Sequence, residues 1–151
     1  NIFHDIKKEL TQKENKNSQK IEGLDYHFGA ISASRKNIST ANLSENISLK
    51  RFDFLKHKET NEKRHVVFNP PYGERLRILD SEFYKKIGNI LKNYYTNSII
   101  WMITSDFENA KLIGLRPSKK IKLFNGKLEC KLLKFELYSG NRNNKNNNNI
   151  G

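Results

Sequence analysis

The chain has 151 residues, enough for one domain with a substantial hydrophobic core. Its formal charge of +12 favours a polyanionic partner such as RNA or DNA, although a lysine-rich surface with no partner would give the same composition. The single cysteine excludes a disulfide framework and a zinc cluster, and the four histidines show no ligand spacing, so no metal site is predicted. No apolar run approaches about 18 residues and no signal-peptide pattern is present, so we expect no membrane span and a cytoplasmic location.

The first half of the chain predicts helices that alternate with short strands. Apolar residues recur at helical spacing from Ile2 to Leu10 and predict an amphipathic helix, which gives way to a polar loop up to residue 19. Each strand that follows ends at, or just before, an Asp or Asn residue. In chain order these elements are a strand over 20–25, a helix over 28–41, a strand over 47–52, a charged loop over 59–64 and a strand over 65–68.

The second half continues this alternation. A helix is predicted over 80–94, with Asp80 or Ser81 as its N-cap. The continuous apolar run over 98–104 is typical of a strand that is covered on both faces of a parallel sheet. A short helix is predicted over 106–112.

The chain closes with a predicted β-hairpin. Asn125-Gly126 is a strong signal for a two-residue turn. The apolar parity shifts between Leu132 and Leu133, which predicts either a bulge or burial on both faces. The hairpin strands are predicted over 119–124 and 128–138, and the Asn-rich stretch over 141–149 is predicted to be disordered.

This order of elements predicts an α/β fold, in which an open sheet of parallel strands carries an added antiparallel hairpin. Ligands bind such sheets beyond the carboxyl ends of the strands, where we expect Asp25, Asp53 and Asn69 to cluster. A carboxylate at the position of Asp25 can hold two ribose hydroxyls, or it can cap the following helix. Asp53 can accept the amino hydrogens of an adenine while Phe54 covers the ring, or it can be a turn residue only.

The stretch Asn69-Pro70-Pro71-Tyr72 directly follows the strand over 65–68. Prolines cannot donate to a sheet ladder, and they fix the backbone so that the Asn69 side chain and the Pro70 carbonyl can converge as acceptors. Two acceptors that hold the hydrogens of a conjugated amino group free its lone pair for attack. Tyr72 offers a flat face on which an extruded base can stack. The alternative is a proline-rich turn without such a role.

With these residues the chain resembles the class I S-adenosylmethionine-dependent methyltransferases, whose amino-methylating members carry Asn/Asp-Pro-Pro-Tyr at the end of the fourth strand. The longer forms NPPYGERL and LFNGKLECKLLKFELY resemble the RNA guanine-N2 methyltransferases that carry a THUMP domain, many of them first labelled putative DNA methylases. The resemblance runs from about Ile21 to Tyr138. It implies an α/β methyltransferase sheet, S-adenosylmethionine as cofactor and RNA, specifically large-subunit ribosomal RNA, as partner. Adenine-N6 DNA and protein-glutamine methyltransferases share Asn-Pro-Pro-Tyr, and a basic RNA-binding module without activity is the third alternative.

The resemblance also assigns roles to individual residues. Asp25, with Tyr26, would lie on the ribose side of the cofactor, and Asp53 and Phe54 on its adenine side. Asn69, Pro70 and Tyr72 would hold the target amino group. Glu74 and Arg75 also belong to the motif, but their chemistry implies no role toward the target. The simplest interpretation is an ion pair between an arginine and a carboxylate that fixes the loop.

The family's glycine-rich cofactor loop is missing, because no two of the eight glycines have GxG spacing. The resemblance therefore implies that the first strand, its loop and a THUMP region lie upstream, with the first strand between the family's second and fourth. On this interpretation, residues 1–19 are a partial helix and a mobile loop, 20–139 the C-terminal part of the catalytic domain, and 140–151 a disordered tail. The chain alone would neither bind the cofactor tightly nor methylate a substrate.

Overall fold

The computed structural model describes residues 1–13, 19–57, 62–70 and 81–139. The chain divides into two compact units, Asn1–Phe54 and Leu55–Gly151. Strands and helices alternate as predicted, with bounds that lie within one or two residues of the predicted ones for most strands. Among the described residues, every helix is too short or too polar to cross a membrane.

The first unit is a helix followed by a β-α-β arrangement. Helix α1 (Ile2–Gln12) precedes strand β1 (Ile21–Asp25), helix α2 (Phe28–Thr40) and strand β2 (Ile47–Arg51). The two strands pair in parallel, with Ile21 opposite Ile47 and Asp25 opposite Arg51, and α2 packs against both. Ile31 of α2 is buried, whereas the apolar stripe of α1 is exposed along its length.

The second unit is built on a four-stranded mixed sheet. Its elements are strand β3 (His65–Phe68), helix α3 (Ser81–Tyr94), strand β4 (Ile99–Thr104), a 3-10 helix (Asn109–Ile113), and strands β5 (Lys119–Asn125) and β6 (Leu128–Glu136). The strand order is β3-β4-β6-β5. Strand β3 is parallel to β4, and the other two pairings are antiparallel. Among the described strands, β1 pairs only with β2 and β3 only with β4, so each has an edge open for a further strand.

The core of the second unit comes from one face of α3 and from the inner positions of β4 and β6. The largest fully buried side chains are Tyr84, Ile87 and Leu91 of α3, Ile100 and Met102 of β4, and Phe135 of β6. Helix α3 also approaches the 3-10 helix closely at Gly88. A Cβ at this position would lie 2.0 Å from the Ile113 carbonyl oxygen, so only glycine allows this packing.

Strand β4 is covered on both faces, as predicted, but unequally, because Ile100, Met102 and Thr104 are fully buried while the alternate residues are half-buried. One prediction about this sheet is wrong. The hairpin turn is Gly126-Lys127 and not Asn125-Gly126, since Asn125 still pairs with Leu128. Gly126 has φ of 62°, as at the first central position of a type II′ turn.

The parity shift in β6 reflects burial on both faces and not a bulge. Leu132 and Leu133 pair in unbroken register with Ile103 and Met102. Cys130 and Leu133 are both buried although they point to opposite faces of the strand. The predicted disorder over 141–149, the loop up to residue 19 and the Asp80 cap lie wholly or partly outside the described residues.

Candidate functional site

Asp25 and Asp53 lie at the same edge of the first unit, as predicted. Asp25 is the last residue of β1 and faces Arg51, the last residue of the parallel strand β2. Asp53 follows Arg51 by two residues. Because the strands are parallel and in register, both carboxylates follow the carboxyl ends of adjacent strands, where α/β sheets bind ligands.

The local geometry of Asp25 argues against the helix-cap interpretation. The N-cap of α2 is His27, whose Nδ1 accepts a hydrogen bond from the Ala30 N–H at 3.3 Å. Asp25 uses Oδ1 to accept the His27 N–H at 2.6 Å, which fixes the carboxylate just before the helix. Oδ2 accepts no hydrogen bond from the described residues. This exposed carboxylate is therefore oriented, with one oxygen available to accept the hydroxyls of a ligand.

Tyr26 presents an aromatic ring next to Asp25. Tyr26 is 67% exposed, and the Arg51 guanidinium lies 5.7 Å from its ring centroid. Arg51 Nε also donates to the Tyr26 carbonyl at 3.1 Å, so the same side chain holds both the backbone and the ring. The ring is thus anchored on one side and open on the other.

Asp53 and Phe54 form the second part of this edge. Both side chains are half-buried, and Phe54 begins a short 3-10 turn (Phe54–Lys56) that ends the extended course of the chain. A carboxylate followed by an aromatic ring fits the edge and the face of a planar base, respectively. Their roles toward adenine stay predictions.

In the second unit, Asn69 and Pro70 follow the carboxyl end of β3. Phe68, the last residue of β3, lies opposite Met102, so continuing the parallel register places Asn69 and Pro70 near the level of Ile103 and Thr104. Asn69 is exposed, whereas Pro70 is buried. Pro70 is therefore held by the surrounding structure, while Asn69 stays accessible. Tyr72, Glu74 and Arg75 lie outside the described residues.

A polar group follows the end of β4, near the level of Asn69 and Pro70 in the parallel register, and nothing in the sequence pattern singled it out. The Asp106 carboxylate accepts hydrogen bonds from the Asn109 backbone N–H at 3.1 Å and from Asn109 Nδ2 at 2.8 Å. The Asp106 N–H donates to Thr104 Oγ1 at 3.0 Å. Tyr84 is fully buried near both, and its burial raises the pKa of its hydroxyl. Tyr84 is therefore neutral at physiological pH, and the hydrogen bonds of Asp106 stabilise the loop after β4.

Each unit therefore carries its own polar edge. The first has Asp25, Tyr26, Asp53 and Phe54, and the second has Asn69 and Pro70. The clustering of the two sets in one site stays a prediction. Over the described ranges, no group of three or more His, Cys, Asp or Glu side chains could hold a metal ion.

Comparisons with known proteins bear on what these edges do. Residues 1–134 match the family model described as RMKL-like, methyltransferase domain. A ribosomal RNA large subunit methyltransferase K/L from Hahella chejuensis is 37% identical over 127 residues, which make up 81% of this chain and 18% of the relative.

Two solved structures are similar in both fold and sequence. A possible methylase from Clostridium difficile 630 is 30% identical, with a TM-score of 0.80 over 93% of this chain and 38% of that protein. SMU.472, assigned as a methyltransferase and solved in complex with SAH, is 26% identical, with a TM-score of 0.76 over 91% of this chain and 37% of that protein. These similarities confirm the predicted α/β methyltransferase fold. The chain spans less than two fifths of each of these proteins.

Proposed function

The chain belongs to the family of RMKL-like methyltransferase domains, and on this premise we propose that the protein methylates an exocyclic amino group in RNA. The target that fits best is N2 of a guanine in large-subunit ribosomal RNA. The single observation that carries the proposal is the position of Asn69 and Pro70 directly after β3, at the carboxyl edge of its sheet. The Hahella relative, named as a ribosomal RNA large subunit methyltransferase, supports the choice of RNA.

S-adenosylmethionine is the proposed cofactor, and it supplies an activated methyl group when bound. The donor set of the first unit fits its adenosine half. Asp25 Oδ2 is exposed and oriented to accept ribose hydroxyls, with the Tyr26 ring beside it. Asp53 would accept the adenine amino hydrogens while Phe54 lies against the ring. The relative SMU.472, solved with SAH, supports this choice of cofactor.

On the target side, Asn69 and Pro70 hold the amine. The exposed Asn69 amide oxygen and the Pro70 carbonyl oxygen would each accept one amino hydrogen, so the nitrogen lone pair is no longer held in conjugation with the ring. Tyr72 would stack on the extruded base. The amine loses its extra proton only after it has been alkylated, when it is strongly acidic, so this arrangement requires no strong base.

The other expectations for the whole protein belong to the same proposal. These are an upstream strand with a glycine-rich loop, a THUMP region and a cytoplasmic location. The division into residues 1–19, 20–139 and 140–151 is proposed with them. The basic net charge of +12 supports a polyanionic substrate, because lysines that neutralise phosphates release counterions.

Identification of the methylated product tests the proposal. The full-length protein is incubated with methyl-labelled S-adenosylmethionine in three separate reactions. These contain unmethylated ribosomal RNA, DNA or ribosomal proteins as the substrate. Labelled N2-methylguanosine in digested RNA is the expected result. Labelled N6-methyladenine in DNA, or labelled methylglutamine in protein, would show that the target is one of the alternatives and not guanine. RNA binding without transfer to any substrate would indicate a binding module and contradict the proposal.

A further inference from the structure

The β5–β6 hairpin extends beyond the edge at which the proposed target site lies. Thr104, the last residue of β4, pairs with Lys131 of β6, which in turn pairs with Lys122 of β5. Both hairpin strands then continue to Asn125 and Leu128, three residues past this row. At about 3.4 Å per residue, the hairpin projects roughly 10 Å past the end of β4, on the carboxyl side of the sheet.

The projecting part, Lys122–Lys131, which we call the hairpin tip, displays an aromatic ring and several ammonium groups. Phe124 is 64% exposed, and the Lys122 ammonium lies 5.3 Å from its ring centroid. Lys122 also pairs with Glu129 at 2.7 Å, which holds it beside the ring. Lys127, in the turn itself, is exposed and forms no ion pair within the described part of the chain.

A second pair of a lysine and an aromatic ring lies where the hairpin tip joins the sheet, in the row of Thr104. The Lys131 ammonium lies 3.9 Å from the ring centroid of Phe107, in the loop that follows β4. Strands in a sheet are about 4.8 Å apart, so β6 lies roughly 10 Å and β5 roughly 14 Å from β3, which ends at Asn69. Lysines and aromatic rings therefore extend from the neighbourhood of Asn69 to the turn at Lys127, all within the second unit.

The composition of the tip fits a nucleic-acid strand better than a protein surface. The hairpin from Lys119 to Glu136 carries six lysines against two glutamates. Its exposed apolar surface is confined to Phe124 and Leu128, too little for the apolar centre of a stable protein interface. An exposed ring flanked by ammonium groups is the arrangement with which proteins bind single strands, because bases stack on the ring and phosphates lie against the lysines.

We propose that the hairpin tip binds the substrate RNA strand next to the target nucleotide. Phe124 stacks on a base that flanks the target, while Lys127 and Lys122 lie against its phosphates. This inference rests on the proposed function, since it takes Asn69 as the point where the target amine is held. It adds a substrate-positioning surface that is separate from the residues proposed to hold the cofactor and the amine.

Matched substitutions within one hairpin test the tip. In the full-length protein, Phe124→Ser and Lys127→Gln alter the tip, and Lys119→Gln at the other end of β5 is the control, because Lys119 lies three residues before the Lys122 row. All three side chains are exposed, and thermal unfolding verifies that each variant stays folded. The dissociation constant for an unmethylated large-subunit ribosomal RNA transcript is then measured over a salt series.

We expect Phe124→Ser to weaken RNA binding about tenfold, within the range found for the loss of one stacked base. Lys127→Gln should lower the slope of log affinity against log salt by about 0.7 to 0.9, the loss of one phosphate contact. Lys119→Gln should change neither quantity.

Three outcomes would contradict the account. If the tip variants bind RNA as tightly as Lys119→Gln does, with the same salt dependence, while the wild type still methylates RNA, only the role of the tip is overturned. A wild type that neither binds nor methylates RNA would overturn the proposed function itself. Loss of binding to ribosomal particles but not to protein-free RNA would show that the tip contacts a protein.

Discussion

The two units differ sharply in how much apolar surface they bury. In the first unit, Ile31 is the only buried hydrophobic residue among those described, and nine large hydrophobic residues are exposed. All other buried hydrophobic residues of the described ranges lie in the second unit, where one face of α3 and two strands supply a continuous core. The edge proposed for the cofactor is therefore built on a poorly buried frame, and the target edge on a well-packed one.

Sheet size explains much of this difference. The first unit has a two-stranded sheet and the second a four-stranded one. A two-stranded sheet is marginal in water, and three or more strands with an apolar face are usually needed for independent stability. The same β-α-β pattern in sequence thus gives units that bury different amounts of apolar surface, and we expect them to differ in stability accordingly.

The largest expected effect is a difference in folding when the units are separated. Residues 1–54 alone should show no cooperative unfolding transition, because their described part buries one apolar side chain. Residues 55–139 should unfold in a single urea transition, which Trp101, the only tryptophan in the chain, reports by fluorescence. Circular dichroism follows the first fragment. Cooperative unfolding of residues 1–54 would show that the comparison between the units is wrong.

A pair of glycine substitutions sharpens the comparison. At Gly88 an added Cβ would lie 2.0 Å from the Ile113 carbonyl oxygen, so Gly88→Ala should lower the free energy of unfolding by about 1 to 3 kcal/mol despite the better helix propensity of alanine. At Gly29 in α2 the added Cβ meets the His27 ring at 3.0 Å, so the ring must shift and its cap on Ala30 weakens, but the better helix propensity of alanine, worth about 1 kcal/mol, offsets this loss. Gly29→Ala should therefore change the unfolding free energy by less than about 0.5 kcal/mol. Urea titrations of the whole chain measure both, and equal losses would contradict the difference in packing.

The smallest expected effect concerns pH and the second unit alone. Hydrogen bonds from Lys134 and Tyr138 lower the pKa of Glu136. Because the folded pKa lies below the unfolded one, this carboxylate stabilises the fold above its ordinary pKa of about 4.3, and the contribution is lost as the pH falls through the lower folded value. Unfolding of the second unit, monitored by Trp101, should therefore lose less stability between pH 6 and pH 3 in Glu136→Gln than in the wild type. An unchanged pH profile would remove the role of Glu136.

The sequence predicted the strands well because their ends carry strong local signals. Strand β3 matches its predicted range, and β1, β2 and β4 differ by one residue at one end. The hairpin turn was predicted one residue too early, because Asn125 can occupy the last rung while Gly126 alone adopts positive φ. Local sequence signals do not reveal which residue forms the last pair of the hairpin before its turn.

The parts of the site that depend on tertiary packing could not be predicted from the sequence. Asp25 and Asn69 were predictable, because a polar residue directly after an apolar strand is visible in sequence. The support of Asp25 by the His27 N–H and the group around Asp106 depend on side chains that meet only in the folded chain. Helix α1 was correctly predicted as amphipathic, but its apolar face is exposed. A periodic pattern in the sequence does not determine what covers such a face.

The most direct test of the proposed division of labour compares Asp53→Ala with Asn69→Ala in the full-length protein. The dissociation constant for S-adenosylmethionine and the single-turnover rate of RNA methylation at saturating cofactor are measured for both, with Asn69→Asp as a control that keeps one acceptor oxygen. Asn69→Ala should lower the rate about 100-fold with little change in cofactor affinity, as expected when a group acts in the transition state. Asn69→Asp should retain part of the rate. Asp53→Ala should weaken cofactor binding about tenfold, the loss of one buried hydrogen bond, with the rate at saturation largely kept. An unchanged methylation rate in Asn69→Ala, or equal losses of rate and cofactor affinity in both variants, would contradict the assignment of cofactor and target to separate edges.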